Sequence, residues 1–331
     1  MSALVSFPGS KWIASGSADG TVILSDTNGR VWQEWVATYA SIRWLALSPD
    51  GHYLSCTDGN HDITIWDLSQ DAHRLAALWS PKCNFKNCAW SPDGTMIASS
   101  TDDGTLCLWD AETFQLRHYV EDSGQAYSIF HTYFISFSPN GRWIVTDREH
   151  RNCRIWNVES GTLHRELCGH INPLNAARFD PTSTRLATAS WDWTVRVWDV
   201  KTGEQLFVMD RHTDHVWDVS FSPDGNLVVS ASWDFTVRIW DAFTGGLLLS
   251  LKGHSNRVEE ACFSPCGVYV ASASDDKTVR LWRTSDGTCI ATFTEHEGHV
   301  SFSPDGQTLW VGARDGNISV RRIADIVQAR S

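Results

Sequence analysis

Three segments of the chain carry histidine, serine and aspartate in the same order and at the same spacing. The sets are His170, Ser190 and Asp192; His212, Ser232 and Asp234; and His254, Ser274 and Asp276. Serine, histidine and aspartate together are the residue types of nucleophilic hydrolases. A hydrolase needs one such set, whereas this set returns every 42 residues. The repetition predicts a structural role for these residues, and we expect no catalytic residue among them.

The residues that could bind a metal have the wrong spacing for it. The closest pairs of the nine cysteines are Cys83 with Cys88 and Cys262 with Cys266, and neither has the CxxC spacing of a zinc site. The segment 296–299, His-Glu-Gly-His, lacks the HExxH spacing that places two histidines on one face of a helix. We expect reduced cysteines that behave as small apolar side chains. We expect neither a metal nor a cofactor.

The charge and the apolar segments argue against two further classes of partner. The formal net charge is −12, which disfavours a nucleic-acid partner bound through phosphate neutralisation. The longest apolar runs, such as Leu247–Leu249, are far shorter than the ~20 residues of a membrane span. The first residues lack the basic and apolar segments of a secretory signal. We expect a soluble protein of the cytoplasm, with the nucleus as the alternative.

One phrase is repeated along the whole chain. An aromatic-rich segment, Ser-Pro-Asp-Gly or a relative of it, a small-residue segment and Asp-x-Thr-Val-x-x-Trp-Asp follow one another eight times. The position of the Trp in this phrase is occupied by Ser25, Trp66, Trp109, Trp156, Trp198, Trp240, Trp282 and Arg321. Successive copies lie 39 to 47 residues apart, and a period of roughly 40–45 residues with four strand-like segments is typical of propeller blades.

Because one small sheet cannot bury its own faces, the repeats must pack on one another. We therefore expect residues 1–331 to form a single β-propeller domain. Its repeats are bounded at roughly 1–36, 37–79, 80–120, 121–167, 168–208, 209–251, 252–293 and 294–331.

These repeats resemble those of the WD40-repeat family. Gly169-His170 to Trp198-Asp199 and Gly253-His254 to Trp282 carry the Gly-His and Trp-Asp positions of that family. The phrase from Ser222 to Asp241 also resembles the regular WD arrays of fungal signalling NTPases, although the sequence contains no GxxxxGK[ST] motif. The resemblance implies an all-β propeller of eight four-stranded antiparallel blades. The alternative is seven blades with one degenerate terminal repeat, and the tail 323–328 is expected to be either an outer strand or a short helix.

The resemblance also assigns a role to the repeated histidines and aspartates. In this family a buried hydrogen-bonded relay of Asp, His, Ser or Thr and Trp stabilises the blade. The matching sets are His170, Asp192 and Trp198; His212, Asp234 and Trp240; and His254, Asp276 and Trp282. We expect the strand hydroxyl of each relay to be Ser190, Ser232 or Ser274, and we expect residues from about 165 to 295 to be the more rigid part.

The same resemblance predicts which positions face a partner. The expected partner-binding residues are Trp191, Trp217, Trp233, His215, Arg257, Glu259, Asp275, Tyr133, Arg43 and Lys86. Other positions of this kind are Asn175, His131, Glu149, Asp102 and Arg314. Tryptophan and arginine are the anchors of many protein interfaces, so the three tryptophans predict a docking patch for a protein or peptide. The alternative is that the rings only pack across a blade boundary, as Trp193 could do.

The function that we expect from these features is a non-catalytic scaffold. The alternative is a sensor module of a larger signalling protein, which the regular array suggests. A propeller hydrolase is a third interpretation, and its only acid–base groups would be Glu149, His131, Glu259 and His215. The insertion at 121–131 is a second candidate for a binding region because loops on rigid scaffolds carry function.

Overall fold

The computed structural model describes residues 3–6, 12–26, 30–69, 71–78, 84–101, 104–121, 134–148, 151–294, 298–313 and 318–328. These residues form 31 strands and one helix. Each strand pairs antiparallel with the next strand of its sheet, so every sheet is a simple meander. There are eight such sheets, numbered 1 to 8 here in chain order.

The bounds of the strands follow the repeats. Sheets 1 to 4 contain β1 (Ala3–Ser6), β2 (Trp12–Gly16), β3 (Thr21–Asp26) and β4 (Val31–Val36); β5 (Ile42–Leu47), β6 (Tyr53–Asp58), β7 (Ile63–Asp67) and β8 (His73–Leu78); β9 (Phe85–Trp90), β10 (Met96–Thr101), β11 (Leu106–Asp110) and β12 (Leu116–Val120); and β13 (Ile135–Phe137), β14 (Trp143–Arg148), β15 (Asn152–Asn157) and β16 (Leu163–Leu167). Sheets 5 to 8 contain β17 (Leu174–Phe179), β18 (Arg185–Ser190), β19 (Val195–Asp199) and β20 (Gln205–Met209); β21 (Val216–Phe221), β22 (Leu227–Ser232), β23 (Thr236–Asp241) and β24 (Leu247–Lys252); β25 (Val258–Phe263), β26 (Tyr269–Ser274), β27 (Thr278–Arg283) and β28 (Cys289–Thr294); and β29 (Gly298–Phe302), β30 (Thr308–Ala313) and β31 (Ile318–Arg322).

The Ser-Pro-Asp-Gly segments form the turns between the first and second strands. In sheet 6 the Ser222 hydroxyl accepts a hydrogen bond from the Leu227 N–H at 2.9 Å, and Asp224 Oδ1 accepts one from the Asn226 N–H at 3.0 Å. Gly225 has a φ of 73°, a left-handed conformation that only glycine adopts without steric cost. The serine, the aspartate and the glycine of this segment therefore each stabilise the turn in a different way.

The core lies between consecutive sheets. The last four residues of the second strands β18, β22 and β26 are small or β-branched, and all but the first residue of each strand is buried. Ala189 and Val195 of sheet 5 pack with Val216 and Val219 of sheet 6, and equivalent clusters join the other neighbours. Small and β-branched residues suit a strand that is covered on both faces by neighbouring sheets.

The sheets close into a ring. The first strand of each sheet, called the inner strand below, contacts the inner strand of the next sheet, and β29 of sheet 8 contacts β1 of sheet 1. The prediction of an eight-bladed propeller is confirmed, and the seven-bladed alternative is wrong. Closing the ring leaves no sheet face without a neighbour, which is how eight marginal sheets share one core.

Sheet 8 differs from the other seven at its outer side. Its described residues form three strands, and Ile323–Gln328 forms a helix, α1, which is one of the two outcomes that the sequence left open. Ile323 is buried in the core between sheets 7 and 8, where Ile326 and Val327 pack beside it. Within the described ranges, no helix has the length and apolar content needed to cross a bilayer.

Candidate functional site

The repeated histidines and aspartates lie in hydrogen-bonded relays inside the sheets. In sheet 5 the indole N–H of Trp198 donates to Thr188 Oγ1 at 2.9 Å, and His170 Nε2 lies 2.8 Å from the same hydroxyl. His170 Nδ1 lies 2.8 Å from Asp192 Oδ2. Sheets 6 and 7 repeat this relay at 2.7–2.9 Å with Trp240, Ser230, His212 and Asp234 and with Trp282, Ser272, His254 and Asp276.

The hydroxyl of each relay is not the one that the sequence suggested. We expected Ser190, Ser232 and Ser274, but the relay hydroxyls lie two residues earlier, at Thr188, Ser230 and Ser272. Ser190 is the last residue of its strand, and its hydroxyl accepts the Asp192 N–H and donates to the Asn172 carbonyl. It therefore closes the turn, whereas Thr188 lies one step deeper, beneath the histidine ring.

The electrostatics fix the direction of the relay. Burial lowers the pKa of His170, His212 and His254, so these imidazoles are neutral at pH 7. Burial alone would raise the pKa of Asp192, but hydrogen bonds from His170, Thr194 and the Ile171 N–H outweigh it and hold that pKa at about 2. A neutral His170 then donates from Nδ1 to the carboxylate and accepts at Nε2 from Thr188. The three relay hydroxyls have no solvent exposure, so they stabilise the sheets and offer no nucleophile to a substrate.

Four of the expected partner-binding residues form one aromatic cluster, which consists of Trp191, His215, Trp217 and Trp233. The rings of Trp217 and Trp233 stack with centroids 4.9 Å apart and planes at 15°. The Trp191 ring lies 6.4 Å from Trp217 and 6.1 Å from Trp233. His215 lies against both Trp191, at 4.8 Å, and Trp233, at 5.1 Å. The packing of ring on ring across the boundary of sheets 5 and 6 is thus real, and each ring also remains partly exposed.

β-Bulges in the inner strands explain why these positions face outward. In five sheets the second residue of the inner strand has no cross-strand partner. These residues are Arg43, Lys86, Asn175, Trp217 and Glu259. A bulge turns a side chain away from the regular alternation of a strand. All five residues are at least partly exposed, so the fold itself generates the row of outward positions.

Hydrogen bonds to the backbone fix the aromatic cluster in place. The indole N–H of Trp191 donates to Asn175 Oδ1 at 2.8 Å, and the amide of Asn175 donates to the Val216 carbonyl at 3.1 Å. His215 Nδ1 lies 2.9 Å from the Trp191 carbonyl, and the backbone N–H of Trp233 donates to the His215 carbonyl. The bonds of Asn175 to Val216 and of His215 to Trp191 cross from sheet 5 to sheet 6. The cluster is therefore as rigid as the boundary between the two sheets.

Arg257 of sheet 7 extends the cluster. Its guanidinium carbon lies 3.9 Å from the centroid of the Trp233 ring, on which it makes a cation–π contact. The backbone on both sides of Arg257 is held, because its N–H donates to Asn256 Oδ1 and its carbonyl accepts the Asp275 N–H. Arg257 is exposed, and it forms no ion pair with a described residue.

The other expected partner-binding residues lie elsewhere. Arg43 is exposed on β5, and the Lys86 ammonium lies 3.4 Å from His61 Nδ1, on sheets 2 and 3 across the ring from the aromatic cluster. Glu259 is half-buried on β25. Five further positions, Tyr133, His131, Glu149, Asp102 and Arg314, lie outside the described residues, as does nearly all of the insertion at 121–131. Two of the four groups named for a hydrolase, His131 and Glu149, are among these.

The sequence analysis missed Phe235 and considered Trp193 only for packing across a blade boundary. Trp193 and Phe235 each follow a relay aspartate, have φ of 71° and 69°, and are 49% and 43% exposed. Trp193 therefore does not have the buried packing role considered for it. Sheets 1 and 3 have Gly20 and Gly104 with positive φ in the corresponding turns. Comparing this one position between repeats would have shown aromatic residues where the backbone favours glycine.

Polar side chains of the inner strands also link consecutive sheets. Asp218 Oδ2 accepts the Ala261 N–H of the next sheet at 3.3 Å, and Glu260 Oε2 accepts the Val300 N–H at 2.9 Å. Burial raises the pKa of Asp218 to about 6, since the opposing charge of Arg178, 3.9 Å away, only partly offsets it. Among the described residues no three His, Cys, Asp or Glu side chains converge as a metal site would require.

Comparison with known proteins gives the family. The model of the WD domain, G-beta repeat, matches the chain at residues 1–26, 33–67, 78–110, 127–157, 161–199, 203–241, 245–283 and 287–321. The crystal structure of the computationally designed Ika8 protein has a TM-score of 0.83 at 24% identity, over 97% of this chain and 95% of that chain. Each of the eight matched segments covers the first three strands of one sheet, except for Arg322 at the end of sheet 8.

Two natural relatives match over shorter stretches. Meiotic recombination protein rec14 of Schizosaccharomyces pombe is 29% identical over 156 residues, which are 45% of this chain and 48% of that protein. Guanine nucleotide-binding protein subunit beta-5b of Danio rerio is 26% identical over 186 residues, which are 55% of this chain and 46% of that protein. The matched stretch thus spans about half the length of each relative.

Proposed function

The chain belongs to the WD40-repeat family, and we propose that it is a non-catalytic scaffold whose aromatic cluster binds a segment of a partner protein. The observation that carries this proposal is the stack of Trp217, Trp233 and Arg257, which is contributed by two sheets and is partly exposed. Tryptophan and arginine contribute most to binding energy in protein interfaces because they bury a large area with few rotamers to order.

The rigidity of the aromatic cluster supports the same function. His215 is hydrogen-bonded to the backbone carbonyl of Trp191. The Trp191 indole is hydrogen-bonded to Asn175, which in turn bonds to the backbone. A surface that is already ordered loses little conformational entropy when a partner binds, so more of the contact energy appears as affinity. The exposed rings of Trp193 and Phe235 lie in the turns that follow the same relay aspartates, and they extend the apolar surface of sheets 5 and 6.

The relatives and the buried relays are consistent with a scaffold. The Danio rerio relative is by name a subunit of a guanine nucleotide-binding protein, so that propeller acts within an assembly. Among the described residues, the only repeated sets of Ser or Thr, His and Asp are those of the relays. Their polar atoms are already hydrogen-bonded to one another. Fold likeness alone is a weak argument for function, and for that reason the proposal rests on the aromatic cluster.

Proximity labelling in the native cell tests the proposal. The wild-type chain, Trp233→Ala and Tyr39→Ala would be expressed at equal levels as fusions to a labelling enzyme. Tyr39 is fully exposed and lies far along the chain from the cluster, so its removal is the matched control for loss of a surface ring. We expect a set of proteins labelled by wild type and Tyr39→Ala and lost with Trp233→Ala. Identical labelling by all three would contradict the proposal.

A further inference from the structure

Two other groups of the chain lie against the Trp233 ring. Trp217 stacks at 4.9 Å between centroids, with planes at 15°, and the guanidinium of Arg257 lies over the ring at 3.9 Å. The three groups form a continuous stack of Trp217, Trp233 and Arg257. A partner cation therefore cannot use Trp233 as an aromatic receptor without displacing Arg257. The group that the stack presents outward is the guanidinium.

The guanidinium of Arg257 is prepared to donate hydrogen bonds. A guanidinium has five N–H donors around its edge, and stacking on an indole occupies only its face. Arg257 is exposed and forms no ion pair with a described residue, so its edge is open to solvent. Its backbone is fixed by the bonds to Asn256 and Asp275. The stack thus holds the donor fork in place before any partner arrives, which lowers the entropy that binding must cost.

We propose that Arg257 recognises an acidic side chain, Asp or Glu, of the partner segment that covers the aromatic cluster. This inference rests on the proposed function and names the chemistry of its partner. A carboxylate can accept two parallel hydrogen bonds from the edge of a guanidinium, and such charge-assisted pairs are stronger than neutral ones. An apolar residue next to the acidic one in the partner would lie over Trp217 and Trp191.

The charges around the stack favour a carboxylate over the alternatives. The chain as a whole carries −12, so long-range attraction would favour a basic partner. A basic segment laid on the stack would, however, place its cation against Arg257. A phosphate dianion would meet only one arginine here, with the half-buried Asp275 beside it. A single negative charge is the better match for a single stacked guanidinium.

Selection from a phage-displayed library of random peptides on the full chain tests this inference. The wild type, Arg257→Glu and Trp233→Ala would be used as bait in parallel. We expect the wild type to enrich peptides with Asp or Glu at a fixed distance from an aromatic or large aliphatic residue. Arg257→Glu should lose these peptides and enrich Lys or Arg at the same place. Trp233→Ala should enrich neither set. Thermal melting of each bait confirms that it is folded.

A double-mutant cycle on one selected peptide gives the size of the effect. Replacing its acidic residue by the amide should weaken binding to the wild type about fivefold to tenfold and leave binding to Arg257→Gln unchanged. Peptides that need the tryptophans but show no acidic preference, or keep it with Arg257→Glu, would overturn this inference alone. No enrichment by the wild type, or peptides that bind Trp233→Ala equally well, would instead overturn the proposed function.

Discussion

A methyl group placed on the Cα of Gly169 would lie 2.7 Å from Nη1 of Arg196, closer than real Cβ atoms approach any heavy atom. The same arrangement recurs between Gly253 and Arg280 in sheet 7. In sheet 6 the residue before the relay histidine is Arg211, and there Arg238 is drawn towards Asp234, 3.6 Å away, against 4.0 Å for Arg196 and Asp192. The glycine of the Gly-His pair thus leaves room for the arginine of the third strand in sheets 5 and 7, whereas sheet 6 combines a larger residue at this position with a different position of the arginine.

Gly169→Ala should therefore destabilise the fold in a way that depends on Arg196. We expect a loss of about 1–2 kcal/mol in the free energy of unfolding, because the new methyl group meets the guanidinium and, at 3.1 Å, the Trp198 ring. The loss should be smaller in an Arg196→Ala background, where only the ring contact remains. Urea denaturation of the four proteins of this double-mutant cycle measures both values. Equal losses in the two backgrounds would contradict the explanation.

Removing the relay hydroxyl of sheet 6 should cost more than removing the one beside it. Ser230→Ala leaves the Trp240 indole N–H and His212 Nε2 without a partner in a fully buried site, and we expect a loss of about 2–4 kcal/mol. Ser232→Ala removes one turn hydroxyl, which accepts the Asp234 N–H at 3.1 Å, and should cost about 1 kcal/mol. Chemical denaturation compares the two. A larger loss for Ser232→Ala would mean that the relay is assigned to the wrong hydroxyl.

Asp218→Asn should stabilise the protein at neutral pH and not in acid. Burial raises the pKa of Asp218 to about 6 in the folded chain, from 3.8. The stability that its proton contributes is complete below pH 3.8 and is lost as the pH rises through about 6. Asparagine keeps an oxygen for the Ala261 N–H and never ionises, so Asp218→Asn should gain about 2–3 kcal/mol at pH 7.5 and little at pH 4. Thermal melting at both pH values measures the gain.

Asp224→Asn is the matched control for that pH dependence, with the opposite sign. Hydrogen bonds from Ser222 and the Asn226 N–H lower the pKa of Asp224 in its turn. Its stabilising effect is therefore present above pH 3.8 and disappears as the pH falls through the lowered pKa. Asp224→Asn should be less stable than the wild type at pH 7.5 and nearly equal to it near pH 2. Parallel shifts of both variants would indicate a general charge effect in place of two local ones.

Phe235→Gly should stabilise the turn and weaken partner binding. A non-glycine residue with a φ of 69° is in a strained conformation that costs roughly 1 kcal/mol, and glycine removes that cost. Lys277→Gly in sheet 7, where φ is 66°, should give a similar gain and serve as the control. Only Phe235→Gly should reduce labelling of the partner, since only it removes an exposed ring. Equal labelling by the two variants would exclude Phe235 from the docking surface.

The fold could be predicted from the sequence because its rules act over short distances. The turn from Ser222 to Gly225 and the Trp240 position recur in register, and each repeat specifies its own sheet. The relay histidines and aspartates were identified by the resemblance to the WD40-repeat family. The relay hydroxyl could not be, because Thr188 and Ser190 are both hydroxyl residues on one face of β18. Only the depth of the site in the sheet separates them.

The composition of the aromatic cluster was accessible from the sequence, but its arrangement was not. Trp191, Trp217 and Trp233 are far apart in the chain. The outward direction of Trp217 depends on a β-bulge that no local sequence motif predicts. The stacking of Arg257 on Trp233 joins two sheets, and it depends on how those sheets pack together. Phe235 was missed because an aromatic residue is not expected where the backbone has positive φ.

The hydrogen bonds between inner strands determine which substitutions the chain can tolerate at the sheet boundaries. At each of these joints one sheet supplies an acceptor side chain, Asp218 or Glu260, and the following sheet supplies a main-chain N–H group, at Ala261 or Val300. At the second joint His299 Nδ1 of the following sheet also lies 3.3 Å from Glu260 Oε2. The two sides of a joint are therefore under unequal constraint. A change of Asp218, which is the acceptor, removes the hydrogen bond, whereas the donor at position 261 is the main-chain N–H, which every residue except proline supplies.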